Sequence, residues 1–178
     1  FTNIFPHYRL AIWKKLLESK YFSMEIYYSG SKFQEIESVR IKDKIDVENQ
    51  KRLHLIKNYK VFGHIIWQSN TLLKSIIAEY DAIFLLGDMK ILTNWIIPVI
   101  ARLRNKKVVY WTHGIYGNES LMKKTMRLVF LNLATDILLY ENRAKKVLIK
   151  HGFNPLKLHV VFNSLDYNNQ KKIFKNLI

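Results

Sequence analysis

Apolar residues recur along this chain at two different spacings. Short runs rich in β-branched and aromatic residues, at 1–5, 23–28, 65–67, 82–86, 108–111, 137–140 and 159–162, read as strands. Between them lie longer stretches, at 8–19, 71–79, 90–104, 119–134 and 143–150, where apolar residues return every three or four positions as in amphipathic helices. In the first, Leu10, Trp13, Leu16 and Leu17 form the apolar stripe and Lys14, Lys15 and Glu18 the opposite side. Strands alternating with helices are the mark of βα units. The pattern therefore predicts an α/β fold: Rossmann-like and doubly wound, with a mainly parallel sheet in a single domain.

Individual residues refine these elements. Pro98, inside 90–104, predicts a kink or a break. Asn70 or Ser69 stands where the helix over 71–79 needs a cap, and Gly152 where a left-handed residue would close the helix ending at His151. Residues 29–60 lack a clear period and read as an excursion before the third strand, with a small helix whose start Asp43, Asp46 and Glu48 would favour.

Composition supports a core: 49% of the 178 residues are hydrophobic and 13% aromatic, enough for one compact domain rather than a disordered tail. Charge changes the picture more. The net charge is +15, and it is unevenly placed: thirteen Lys and Arg face ten Asp and Glu up to Asp88, then sixteen face four. Such a field attracts polyanions, meaning nucleic acid, anionic lipid headgroups or phosphorylated substrates. The absence of cysteine removes disulfides and thiolate metal sites and fits a reducing cytoplasm. Arg102, Arg127, Asn132 and Asp136 interrupt every apolar run short of the roughly 18 residues a spanning helix needs. A soluble or peripheral protein is expected, with a segment trimmed from in front of Phe1.

The most informative stretch is Val108-Val109-Tyr110-Trp111-Thr112-His113-Gly114, a strand that ends in histidine and glycine. Ligands gather at the carboxyl ends of strands in open parallel sheets, so His113 is the leading candidate for chemistry. Gly114 and Gly117 flank an aromatic and permit a backbone excursion there. Asp88, Glu141 and Asn163 follow the neighbouring strands in the same way, although Asp88 and Glu141 also fit simple helix-start roles. Pro6, His7, Tyr8 and Arg9 read as a strand-to-helix turn, or as a wall of the crevice whose helix start and guanidinium favour a negative ligand. No metal site is expected, since no histidines or carboxylates pair at ligand spacing, and no GxxxxGK, GxGxxG or GxSxG motif occurs.

Thr2-Asn3-Ile4-Phe5-Pro6-His7-Tyr8-Arg9 resembles the opening of a branch of nucleotide-sugar-dependent glycosyltransferases, those of group 1 or subfamily 4-like type. The segments 82–88, 110–114, 135–140 and 160–166 follow in that family's order and approximate spacing. The resemblance implies the N-terminal, acceptor-binding half of a GT-B fold over 1–166, with 167–178 leading toward a donor-binding domain that is absent here. It implies transfer of a sugar from a nucleotide-sugar donor, a substrate rather than a cofactor, to a hydroxyl acceptor. That acceptor is often lipid-linked, as in cell-surface polysaccharide or glycolipid synthesis. His113 would sit near the transferred sugar, and Pro6 to Arg9 would line the acceptor side. This half alone would be inactive. The resemblance also implies a cytoplasmic, peripheral enzyme whose lysines rest on an anionic membrane; the helix over 119–134, carrying Lys123, Lys124 and Arg127, is either one such contact or a helix whose apolar side packs in the core. Two alternatives stand beside it: a basic nucleic-acid-binding α/β domain, disfavoured because no such motif is present, and a non-catalytic subunit of a split glycosyltransferase.

Overall fold

A computed structural model describes residues 1–2, 9–29, 45–162, 171 and 174–176. The fold is α/β and Rossmann-like. The chain divides into two compact units, one formed by Phe1 with 58–163 and the other by 2–57 with 164–178.

The smaller unit opens on α1 (Leu10–Leu17), which buries Trp13 and Leu17, the inner edge of its apolar stripe. β1 (Ile26–Ser29) pairs in parallel with β2 (Leu53–Ile56), and Thr2 adds a parallel bridge to Tyr28. Between the strands lies α2 (Val47–Gln50), started as expected by Asp46, whose carboxylate accepts from the Asn49 amide at 2.8 Å. The excursion over 29–60 is therefore more regular than its lack of period implied: it contains β2 and β3. Of the expected strand over 1–5, residues 3–5 lie outside the described residues, as does Asp43.

The larger unit begins with β3 (Asn58–Lys60) and β4 (Ile66–Gln68), which pair antiparallel. The third expected strand thus belongs to a hairpin rather than to the parallel ladder. α3 (Thr71–Ile77) follows, and Asn70 before it adopts a left-handed φ of 59° without a side-chain bond to the helix. The Thr71 hydroxyl instead donates to the Gln68 carbonyl at 3.0 Å, inside the turn. At the far end, Arg104 donates to the Ser75 and Ala78 carbonyls, each at 2.9 Å, satisfying groups that the end of α3 leaves open.

Then come β5 (Ala82–Leu86), α4 (Thr93–Leu103), β6 (Lys107–Thr112), α5 (Leu121–Asn132), β7 (Asp136–Leu139), α6 (Asn142–Lys150) and β8 (Leu158–Val160). The four strands form one parallel sheet in chain order, β5-β6-β7-β8. Register places Ile83 and Leu85, Val108 and Tyr110, Ile137 and Leu139, and Leu158 on one face. All seven are buried there with Ile97, Phe130 and Leu148 of the three crossover helices. Gly152 closes the turn after α6 with φ +85°, as its position predicts.

Pro98 does not break α4, which runs through it. Proline has no amide hydrogen to offer the carbonyl four residues back, that of Asn94. The Tyr110 hydroxyl of β6 donates to that carbonyl instead, at 2.7 Å, while the Asn94 side chain donates to the Leu86 carbonyl at 2.6 Å. Burial raises the Tyr110 phenol far above its ordinary pKa, so it remains a donor at every physiological pH. Tyr110 also stacks on Phe130, with ring centroids 4.6 Å apart, and Trp95 tilts against the same ring at 4.9 Å.

Candidate functional site

The carboxyl ends of β5, β6 and β7 carry the polar loops of the larger unit. Gly87 ends β5 so close to β6 that a Cβ there would stand 2.6 Å from the Thr112 Cβ, which only glycine avoids. The Thr112 hydroxyl donates to the Gly87 carbonyl at 3.2 Å and accepts from the Gly114 amide at 3.3 Å. That clip turns the chain out of the sheet at His113. Gly114 takes a φ of +77°, and a Cβ there would meet Ala144 at 3.4 Å and Leu139 at 3.5 Å. Both glycines thus shape the backbone, and His113 is the side chain that emerges, exposed.

Its surroundings are aromatic. The His113 ring lies 4.2 Å from Tyr140, tilted by 36°, and 6.0 Å from Tyr116. Tyr140, buried at the end of β7, also meets Trp111 at 5.8 Å. Trp111, Tyr140, His113 and Tyr116 therefore form a row of four rings along the rim of the sheet.

The far end of the row is fixed by charge. Arg127, reaching from α5, places its guanidinium 4.8 Å from the Tyr116 ring centroid. The same guanidinium grips Glu119, with Nε 3.0 Å from both carboxylate oxygens, and the two side chains are only 9% and 3% exposed. Burial pushes the Glu119 carboxyl up, but the hydrogen bonds and charge of Arg127 outweigh it and hold the group below the ordinary carboxylate range. Glu119 also accepts from the Tyr116 amide at 3.3 Å, so the ion pair pins the loop that carries Tyr116. Burial raises the Tyr116 phenol, Arg127 opposes this, and the carboxylates of Asp88 and Glu119 add to it. The phenol is therefore neutral at pH 7 and able to donate.

The other expected site residues are placed unevenly. Asp88 accepts from the Lys90 amide at 2.9 Å, a local turn in place of a helix start, and α4 begins only at Thr93. Glu141 stands at the N-cap of α6, exposed and without a side-chain bond to the helix. Arg9 precedes α1 in the smaller unit, half-buried and likewise without a capping bond. Pro6, His7, Tyr8 and Asn163 lie outside the described residues. Among the described residues, no group of three or more histidines and carboxylates is arranged to hold a metal. No described helix is long and apolar enough to cross a membrane.

Sequence reading assigned Tyr140 and Trp111 to strands and Arg127 to a basic outer face. The structure turns Arg127 inward, where its charge is spent on Glu119. Tyr116 had a local signal in its flanking glycines; the Glu119 and Arg127 pair, eight residues apart across a helix start, had none. A recess of about 200 Å3 near Asn132, Phe153 and Lys157 lies at the opposite, amino end of the sheet. Comparison with protein-family models, with curated proteins and with solved structures finds no match to this chain.

Proposed function

We propose that the rim carrying His113 is the acceptor side of a nucleotide-sugar-dependent glycosyltransferase of GT-B type. The observation that carries this reading is the row Trp111, Tyr140, His113 and Tyr116 at the carboxyl end of a parallel sheet. A sugar offers an apolar C–H face and a ring of hydroxyls. The exposed Tyr116 ring matches the first, and the exposed imidazole of His113, able to donate and to accept, matches the second.

In this reading the bond from the anomeric carbon to the donor's diphosphate breaks, and a bond to the acceptor hydroxyl oxygen forms. The hydroxyl proton passes to the oxygen of the departing diphosphate. His113 orients the acceptor or the sugar by hydrogen bonding, and positioning supplies its share of the rate. Charge on the leaving diphosphate is met by a donor-binding lobe. A lipid-linked acceptor would place the enzyme at the inner face of a membrane. The nucleic-acid reading is weaker, because the chain carries no recognised nucleic-acid-binding motif.

The test is incubation of the whole gene product with UDP-, GDP- and dTDP-sugars, with and without a lipid extract as acceptor source. Release of nucleoside diphosphate or labelling of a lipid supports the reading. No turnover of any donor, together with tight oligonucleotide binding, contradicts it.

A further inference from the structure

The outer side of α4 carries apolar residues that its packing on the sheet does not use. Leu92, the N-cap residue with helical dihedrals, is 37% exposed, Val99 50% and Leu103 84%. At about 100° per residue these three point away from Thr93, Asn94, Ile97, Pro98 and Ala101, which α4 buries, and half-buried Ile96 lies beside them. Leu92, Ile96, Val99 and Leu103 are thus spaced by four, three and four residues, the repeat by which one helix packs along another.

α3 packs against α4 and turns the half-exposed Leu73 and Ile77 outward, opposite its buried Thr71 and Ser75. Charge sets this part of the chain apart. Over 71–103, Lys74, Lys90 and Arg102 are balanced by Glu79, Asp81 and Asp88, so the segment is neutral in a chain of +15. The next cation, Arg104, is turned back onto the Ser75 and Ala78 carbonyls of α3.

We propose that the outer side of α4, with α3 beside it, is a contact between two copies of this chain, the two α4 helices running antiparallel about a two-fold axis. The stripe reads nearly the same from either end, with leucine at both termini and isoleucine and valine between. In an antiparallel pair Leu92 of each copy meets Leu103 of the other, and Ile96 and Val99 of both meet near the axis, as an isologous contact requires. A neutral segment lets two strongly basic molecules approach there without the repulsion felt elsewhere. An oligonucleotide would gain little from a face without net positive charge. The proposal is independent of the glycosyltransferase reading, because the oligomeric state is measured without any sugar.

The experiment is analytical ultracentrifugation of the chain over a range of concentrations. A monomer–dimer equilibrium is expected, with a dimer that persists as salt is added, the behaviour of an apolar contact. Val99→Asp should raise the dimer dissociation constant about a hundredfold or more while the circular dichroism spectrum stays unchanged, since the side chain is half-exposed. If that variant unfolds, Leu103→Glu, at the exposed end of α4, replaces it. Val99→Cys introduces a thiol into a chain that has none, and a short bismaleimide should join two copies through it. A monomer throughout the concentration range overturns the proposal. So does a dimer that salt dissociates, that the charged variants leave intact, or that Val99→Cys does not join.

Discussion

The Tyr110 hydroxyl sits 2.7 Å from the Asn94 carbonyl and supplies the hydrogen bond that Pro98, four residues further along α4, withholds. A proline inside a helix thus becomes a joint between helix and sheet. Tyr110→Phe should lower stability by about 1–3 kcal/mol, because it strands a buried acceptor. In a Pro98→Ala background the same change should cost much less, since the restored amide takes over the carbonyl. Urea denaturation of the four proteins measures this coupling, and equal costs in both backgrounds would rule the joint out.

Breaking the Glu119 and Arg127 pair should be expensive. Arg127→Ala leaves a carboxylate buried without its partner, at a cost of about 3–5 kcal/mol. Acid provides a milder probe. The folded carboxyl is held below its ordinary value of 4.5, so its stabilisation is fully present above that pH and disappears as the pH falls through the lower folded value. Chemical denaturation at a series of pH values should show stability falling below about 4.5, with a shallower fall in Glu119→Gln.

Gly87→Ala tests the close approach of β5 to β6. A methyl group at 2.6 Å from the Thr112 Cβ forces one strand aside, at a cost of about 1–3 kcal/mol. It should also shift the His113 and Tyr140 ring signals in an NMR spectrum, because Thr112 sets the turn that releases His113. Unchanged ring signals would show that the clip does not govern the rim.

Much of the fold was readable in the chain, and the reasons differ by element. β5 to β7 and the helices between them declare themselves because their spacings are regular and their lengths ordinary. The hairpin of β3 and β4 did not, since three-residue strands carry too little pattern to reveal which way they pair. That α4 continues through Pro98 was hidden for a different reason: the replacement donor, Tyr110, lies on another element. For the rim, position after β6 singled out His113, and Gly114 signalled the turn. Tyr140 and Arg127 were hidden, because their roles arise from packing between β7, α5 and the His113 loop rather than from any local motif.

Tyr140→Ala should leave the sheet intact and loosen the imidazole it holds at 4.2 Å. In the whole gene product it should lower sugar transfer by roughly tenfold or more through misplacement of His113. Tyr140→Phe, which keeps the ring, should restore most of the rate. Equal loss in the two variants would assign the effect to the phenol rather than to ring packing.

The most direct measurement is the turnover of His113→Ala against that of the unaltered whole gene product, on a nucleotide sugar that the proposed glycosyltransferase reading requires it to use, with folding checked by circular dichroism. A drop of roughly a hundredfold or more with the fold unchanged is expected. Near-normal turnover in a folded His113→Ala protein would contradict the account.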